Sequence, residues 1–266
     1  MLIIGELINC TRKRIAGAVE KKDVGYIQKV AQDQIASGAD ILDVNAGIAG
    51  MEVELLPWLV ETIQAVTDVQ LCIDSADGEA IAAALPVCKK KPMINSITDE
   101  AKIVDIILPL VVENKTQVIA LCTSDEVSGE TADDRLQIAS SLVGKLTDAG
   151  VPPEDIYVDP CVYPISTNVN SGIEFLHALE QMKDCCEGVH TVCGLSNISF
   201  GLPTRKILNQ VFMIMAMVKG LDAALLDPRD KRMMADIIAA EALLGQDDFC
   251  MNYIQAYRKG ILNLED

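Results

Sequence analysis

Aromatic residues are scarce in this chain: one Trp, five Tyr and four Phe, 4% of 266 residues. A base-stacking platform has little to be built from. Cations are few as well. Lys and Arg number 22 against 39 Asp and Glu, a formal charge of −17. That balance argues against nucleic-acid binding and against a polybasic membrane anchor, since both need clustered Lys and Arg. No apolar stretch reaches the ~20 residues of a membrane span. VFMIMAMV at 211–218 is too short and is flanked by charge; core packing is its plainer use, an interface the other. There are two histidines, His177 and His190, and no CxxC, HxxxH or HxC spacing, so zinc is poorly supported. His177 falls in a helical stretch and His190 just before a strand, so both read as structural or surface residues. No P-loop and no Ser/His/Asp triad candidate is present.

The nine cysteines cannot all pair within one chain. Cys72, Cys122 and Cys193 sit inside apolar runs, where a free thiol behaves as a small hydrophobe. Cys185 and Cys186 are adjacent, which is poor spacing for a chelate or a redox pair. MLIIGELIN has no basic stretch ahead of an apolar run. These features predict a reducing cytoplasm.

Eight short apolar runs recur: LIIGEL (2–7), ILDVNA (41–46), QLCIDS (70–75), KPMINSI (91–97), QVIALC (117–122), IYVDP (156–160), TVCGLS (191–196) and DAALLD (222–227). Each has the length of a buried parallel strand. Longer stretches with helical period separate them. In YIQKVAQDQIASGAD, Ile27, Val30, Ala31 and Ile35 share one face and Gly38 suits the helix end. In TADDRLQIASSLVGKLTDAG the first turn is acidic and Gly150 stands at the stop. The pattern predicts an α/β fold, a (β/α)8 TIM barrel. A doubly wound sheet would carry a glycine-rich turn after its first strand, and ELINCTRKR has no glycine there. DDFCMNYIQAYRKGI predicts an extra C-terminal helix. No linker interrupts the chain, so one domain over 1–266 is expected.

Barrel enzymes put their chemistry at the C-terminal ends of the strands. Here those ends carry carboxylates and carboxamides: Glu6 and Asn9, Asp43 and Asn45, Asp74, Asn95, Asp159 and Asn197. One such residue alone would simply cap the helix that follows. Several strands aiming the same chemistry at one mouth weaken that explanation. Asp43 lies within its strand-like run, where a buried acid needs a partner. Such a mouth suits a flat, neutral heterocycle whose N–H and exocyclic NH2 meet a carboxylate as a fork. A hard cation is the rival ligand.

At these strand ends the sequence resembles the pterin-binding, methyltetrahydrofolate-dependent methyltransferases, and most closely the methyltetrahydrofolate:corrinoid protein methyltransferases. The matching segments are LIIGELIN, ASGADILDVNAG, LCIDS, PMINSI, PPEDIYVDP, GLSNISFGLPTR and AMVKGLDAALLDP, in family order across nearly the whole chain. The resemblance implies that Asp74, Asn95 and Asp159 hydrogen-bond the pterin ring, and that Gly194 and Ser196 line its floor. Asn197 would lie against N5, the nitrogen that carries the methyl group. Arg205 would stand near the folate tail, and Phe200 and Leu225 join the folate contacts. Glu6, Asn9 and Asn45 match family positions in supporting roles. Phe200 follows Ser199 where one branch of the family carries Gln, which leaves the branch open. The Thr-Pro-Asp-Ser-Phe run of dihydropteroate synthases is absent after the first strand, and GLSNIS lacks the basic residue those synthases carry at the seventh.

The implied activity is transfer of a methyl group between N5 of tetrahydrofolate and the cobalt of a corrinoid. Asn197 is the catalytic candidate, with the acids around Asp43 as a proton route. The corrinoid signature Asp-x-His-x-x-Gly is absent at both histidines, so a partner protein must carry the corrinoid. No metal site on this chain is implied, and a homodimer is. The alternatives are a dihydropteroate synthase, a non-catalytic folate-binding barrel, and a divalent-metal lyase on the same acidic mouth. Fold alone would not separate them.

Overall fold

The computed structural model describes residues 1–264. Its strands are β1 (Leu2–Asn9), β2 (Ile41–Asn45), β3 (Gln70–Asp74), β4 (Met93–Thr98), β5 (Gln117–Leu121), β6 (Ile156–Asp159), β7 (His190–Gly194) and β8 (Ala223–Leu226). They form one closed parallel barrel in chain order. Closure comes where β1 meets β8, with Leu2 opposite Ala223 and Gly5 opposite Leu226. The expected (β/α)8 architecture is therefore the one adopted.

Helices wrap the outside. Two follow β1: α1 (Lys13–Glu20) and α2 (Val24–Ala36). Then come α3 (Glu52–Gln64), α4 (Gly78–Ala84), α5 (Ala101–Asn114), α6 (Ala132–Asp148), α7 (Ser171–Cys185), α8 (Arg205–Val218) and α9 (Lys231–Leu243). The expected extra helix is α10 (Met251–Arg258). Several starts are written locally. Asp23, Asp77 and Asp230 each accept a first-turn backbone N–H. Thr131 and Asp134 form a reciprocal capping box on α6. Gly38, at φ +103°, ends α2 in a conformation closed to most L-residues.

The barrel is filled, not hollow. Ile4, Ile41, Cys72, Met93, Ile119, Tyr157, Val192, Ala223 and Leu225 form one buried cluster with a member from every strand. This plug floors the mouth above it. His190 opens β7 rather than preceding it, and its ring packs 4.8 Å from that of Tyr157. Along α8, Phe212, Met213, Ala216 and Met217 enter the core, while Val211, Met215 and Val218 face out. The Met-rich run is thus half core and half exposed apolar face.

Register breaks once in β1, between Gly5 and Ile8. Gln34 of α2 fills the break, its Oε1 accepting the Leu7 N–H at 3.0 Å. A Cβ on Gly5 would stand 2.5 Å from that same oxygen, so a side chain there would push the Gln34 amide off the Leu7 N–H.

Candidate active site

Four polar residues stand in one row across four neighbouring strands. Asn9 pairs in register with Asn45, Asn45 with Asp74, and Asp74 with Asn95. Side chains at one level of parallel strands point the same way. Here they converge on Asp74, whose Oδ2 accepts from Asn45 Nδ2 at 3.1 Å and from Asn9 Nδ2 at 3.3 Å. Those bonds leave Oδ1 for a ligand. Asp43 lies two residues deeper on β2, opposite Cys72. Asn95 Nδ2 reaches down to donate to Asp43 Oδ1 at 3.1 Å. This is the partner that a buried acid requires.

Asn9, Asp74 and Asn95 of this row line one wall of a cavity of about 180 Å³ at the mouth. Glu6, Thr11, Arg12, Gly194, Ser196, Asn197 and Leu225 form the rest of its lining, with Asp43 at depth. Ser196 Oγ donates to Glu6 Oε1 at 3.3 Å, joining β1 to the segment after β7. Asn197 is exposed above Gly194, where an added Cβ would stand 3.5 Å from its Nδ2.

Four of the expected residues stand outside this lining: Asn45, Asp159, Phe200 and Arg205. Asp159 is buried at the end of β6, and its carboxylate accepts the backbone N–H groups of Cys161 at 2.8 Å and Gly194 at 3.3 Å. Phe200 is 63% exposed, with the Arg205 guanidinium 5.9 Å from its ring centroid. Arg205 opens α8. It donates to Ser196 O at 2.5 Å and to Ser199 Oγ at 3.0 Å. It lines a second cavity of about 240 Å³ that also touches Glu6 and Ser196. Among the described residues, no group of three or more His, Cys, Asp or Glu is arranged to hold a metal ion.

Sequence reasoning missed Arg12, which lines both cavities and ion-pairs Glu6 at 3.4 Å. The TRKR run after the first strand was its visible signal. Reasoning also missed the Gln34 brace under β1 and Glu52, which accepts from Ser75 Oγ at 2.5 Å beside Asp74.

Burial governs the charge states. It drives Asp43 well above the ordinary carboxylate range, and the nearby charge of Asp74 adds to it. Burial likewise lifts Asp74 to about 6 against the hydrogen bond from Asn45, and lifts Asp159 to about 6 against the two backbone N–H bonds and Arg135. Glu6 is raised by burial, with Arg12 and Ser196 holding it back. The mouth therefore sets an Asp74 carboxyl that titrates at about 6 above a deeper acid whose neutral form burial favours. Such a pair can bind a polar N–H edge and lend a proton.

Residues 5–227 match the family described as pterin binding enzyme. Over 263 residues the chain is 36% identical to the methylcorrinoid:tetrahydrofolate methyltransferase of Eubacterium limosum, covering 98% of this chain and 97% of that one. It is 30% identical to methionine synthase of Mycobacterium tuberculosis (strain ATCC 25618 / H37Rv) over 243 residues, 85% of this chain but 20% of that protein. Among solved structures, the dihydropteroate synthase of Coxiella burnetii in complex with pteroic acid superposes with a TM-score of 0.71. It shares 17% identity and covers 91% of this chain and 94% of that one, a likeness of fold alone.

Proposed function

The chain belongs to the pterin-binding enzyme family, and from that premise we propose that it moves a methyl group between N5 of tetrahydrofolate and the cobalt of a corrinoid carried by a partner protein. One observation carries this reading. The similarity to the Eubacterium limosum methyltransferase runs end to end, 98% of one chain and 97% of the other. The synthase likeness, at 17% identity, is one of fold. The chain spans about a fifth of the methionine synthases it matches, so their complete activity is not transferred here.

The residue roles are our assignment. Asp74 takes an N–H and the exocyclic NH2 of the pterin as a fork, held in position by Asn9 and Asn45. Asn95 presents its remaining amide oxygen to the same edge. Gly194, Ser196 and Leu225 give the ring its floor, and Asp159 reaches the ring only if the ligand enters past the Gly194 backbone. Arg205 and Phe200 flank the folate tail. Glu6 supports Ser196 from below.

The methyl group sits on a tertiary amine, a poor leaving group. The corrinoid supplies the cobalt between which and N5 the methyl passes. This chain has to stabilise N5 as its bond to carbon breaks. Asn197 stands at the mouth for that purpose, and a hydrogen bond that tightens as charge moves onto N5 acts on the transition state alone. An amide is no acid. We assign the proton to water and the acid network around Asp43, whose carboxyl burial raises and which accepts from Asn95 Nδ2.

We also propose a homodimer. The outward face of α8 exposes Ile207, Val211, Met215 and Val218 in one stripe, a patch suited to burial against a second copy. Residues 1–266 are read as one domain around the barrel, with 265–266 outside the described residues. No helix among the described residues is long and apolar enough to cross a membrane.

The deciding experiment mixes the protein anaerobically with methyltetrahydrofolate and reduced cobalamin and follows the Co(I) absorption band in a single turnover. Conversion that depends on Asp74 and Asn197 supports the assignment. Intact folate binding with no transfer to free cobalamin or to any corrinoid protein, in either direction, would sink it.

A further inference from the structure

Cys185 and Cys186 end α7, at the opposite end of the barrel from the mouth. Their adjacency is poor spacing for a disulfide, yet their Sγ atoms stand 3.2 Å apart. The two thiols differ in setting. Cys185 is exposed, while Cys186 is buried against Met182 and accounts for only 4% of its possible surface. Cys186 also caps the helix, its N–H donating to Met182 O at 3.0 Å. The Ser140 hydroxyl of α6 faces both sulfurs.

From this contact we infer that Cys185–Cys186 is a modification site for low-molecular-weight disulfides, with Cys185 as the attacking thiol and Cys186 as the resolving one. The Cys185 sulfur attacks one sulfur of the disulfide RSSR, forming a mixed disulfide and expelling RS⁻. The Cys186 thiol gives its proton to that thiolate. Its sulfur then attacks Sγ of Cys185 and expels the second RS⁻, which takes a proton from water in exchange for the one Cys185 released. The net change oxidises two protein thiols to one ring disulfide and reduces RSSR to two RSH.

Three physical points support the division of labour. A thiolate attacks, not a thiol. The sulfur–sulfur contact with Cys186 and the Ser140 hydroxyl bring the Cys185 thiol down to about 7, against the opposing pull of burial. Burial and the same contact raise Cys186, so it stays protonated until its neighbour is consumed. Third, the ring is strained. Cα atoms across a trans peptide are ~3.8 Å apart, against the usual ~4.4–6.8 Å of a disulfide. A strained disulfide has a high potential and is easily reduced. The modification is therefore reversible.

The test incubates the intact chain with a large excess of oxidised glutathione freed of thiol, which drives formation of a strained ring, then quenches with acid and maps the alkylated peptides by mass. The expected product is the Cys185–Cys186 peptide lighter by two hydrogens, restored by dithiothreitol. Cys186→Ser should accumulate one glutathionyl group on Cys185, and Cys185→Ser should leave the segment unmodified. Cys185 should also alkylate about threefold faster at pH 7 than an ordinary exposed thiol, the gain in thiolate being partly offset by lower nucleophilicity. A stable glutathionyl group on Cys185 of the unaltered chain would overturn the proposal. So would oxidation confined to Cys250, the other exposed thiol. Both readouts are independent of folate and corrinoid chemistry.

Discussion

Asn45 and Asp74 stand directly opposite one another on β2 and β3, and the Asn45 amide donates to Asp74 Oδ2 over 3.1 Å. That bond fixes which carboxylate oxygen stays free to meet a ligand. Replacing Asp74 by Asn should weaken folate binding by about 2–3 kcal/mol, the scale of a charge-assisted bond lost in a desolvated site. Equilibrium titration of the folate would show it. An unchanged Kd would remove Asp74 from the binding site.

The same carboxylate predicts two opposed pH effects. Folate affinity should be flat above about 6, where Asp74 is ionised, and should fall about tenfold per pH unit below it as protons compete. Stability of the free protein runs the other way. The folded value, about 6, lies above the unfolded ~3.9. The protonated form therefore contributes stability that is full below the unfolded value and lost as pH rises through about 6. Denaturation at pH 8 should show on the order of 2–3 kcal/mol less stability from this group than at low pH. Asp74→Asn should recover most of it.

For Asn197→Ala, turnover should drop about a hundredfold with little change in folate Kd, the signature of a donor used only in the transition state. Single-turnover rates at saturating folate, set beside binding titrations, separate the two. Equal losses in both would mean Asn197 merely binds.

Arg135 is fully buried in α6, and its Nη1 and Nη2 have no hydrogen-bond partner among the described residues. Nε alone is hydrogen-bonded, donating to Gly129 O at 2.9 Å, while the guanidinium lies 5.3 Å from the centroid of the Tyr163 ring. A buried cation this poorly paired contributes little to stability. Arg135→Met should therefore leave the urea midpoint unchanged or raise it. It should also raise the titration of Asp159, whose carboxyl Arg135 now lowers. Carbon-detected NMR of the Asp159 carboxyl would report the shift.

The outward stripe of α8 gives the last prediction. Val211→Glu puts a charge into the centre of the proposed dimer face. Sedimentation should then show a monomer where the unaltered chain is dimeric. A monomer in both cases would leave the stripe without this role.

The strands were legible because parallel strands buried on both faces read as continuous apolar runs, and QVIAL and AALL are such runs. Gly38, Gly150 and the acidic first turn of α6 were legible for a local reason, since helix-end signals act within one turn. The polar row was legible in kind: amides and acids at strand ends implied a forked, neutral ligand. What stayed hidden depends on contacts between distant positions. Nothing near Gly5 announces Gln34, 29 residues further on, as the partner of a broken ladder. Arg12 was visible as a basic residue, but its ion pair with Glu6 needed the fold. The adjacency of Cys185 and Cys186 pointed away from a redox role. Only their rotamers bring the sulfurs together.

Closure of the barrel has a thermodynamic consequence. Glu6 and Ser196 meet across 190 positions, and the ring completes only when β8 docks on β1. No shorter segment holds both walls of the cavity. A ligand seated there thus grips the first strand and the last quarter of the chain at once, and it should protect the barrel against global unfolding rather than local fraying. Each tenfold excess of folate above its Kd should add ~1.4 kcal/mol to that protection, slowing amide exchange in strands far from the ligand as much as in those that touch it.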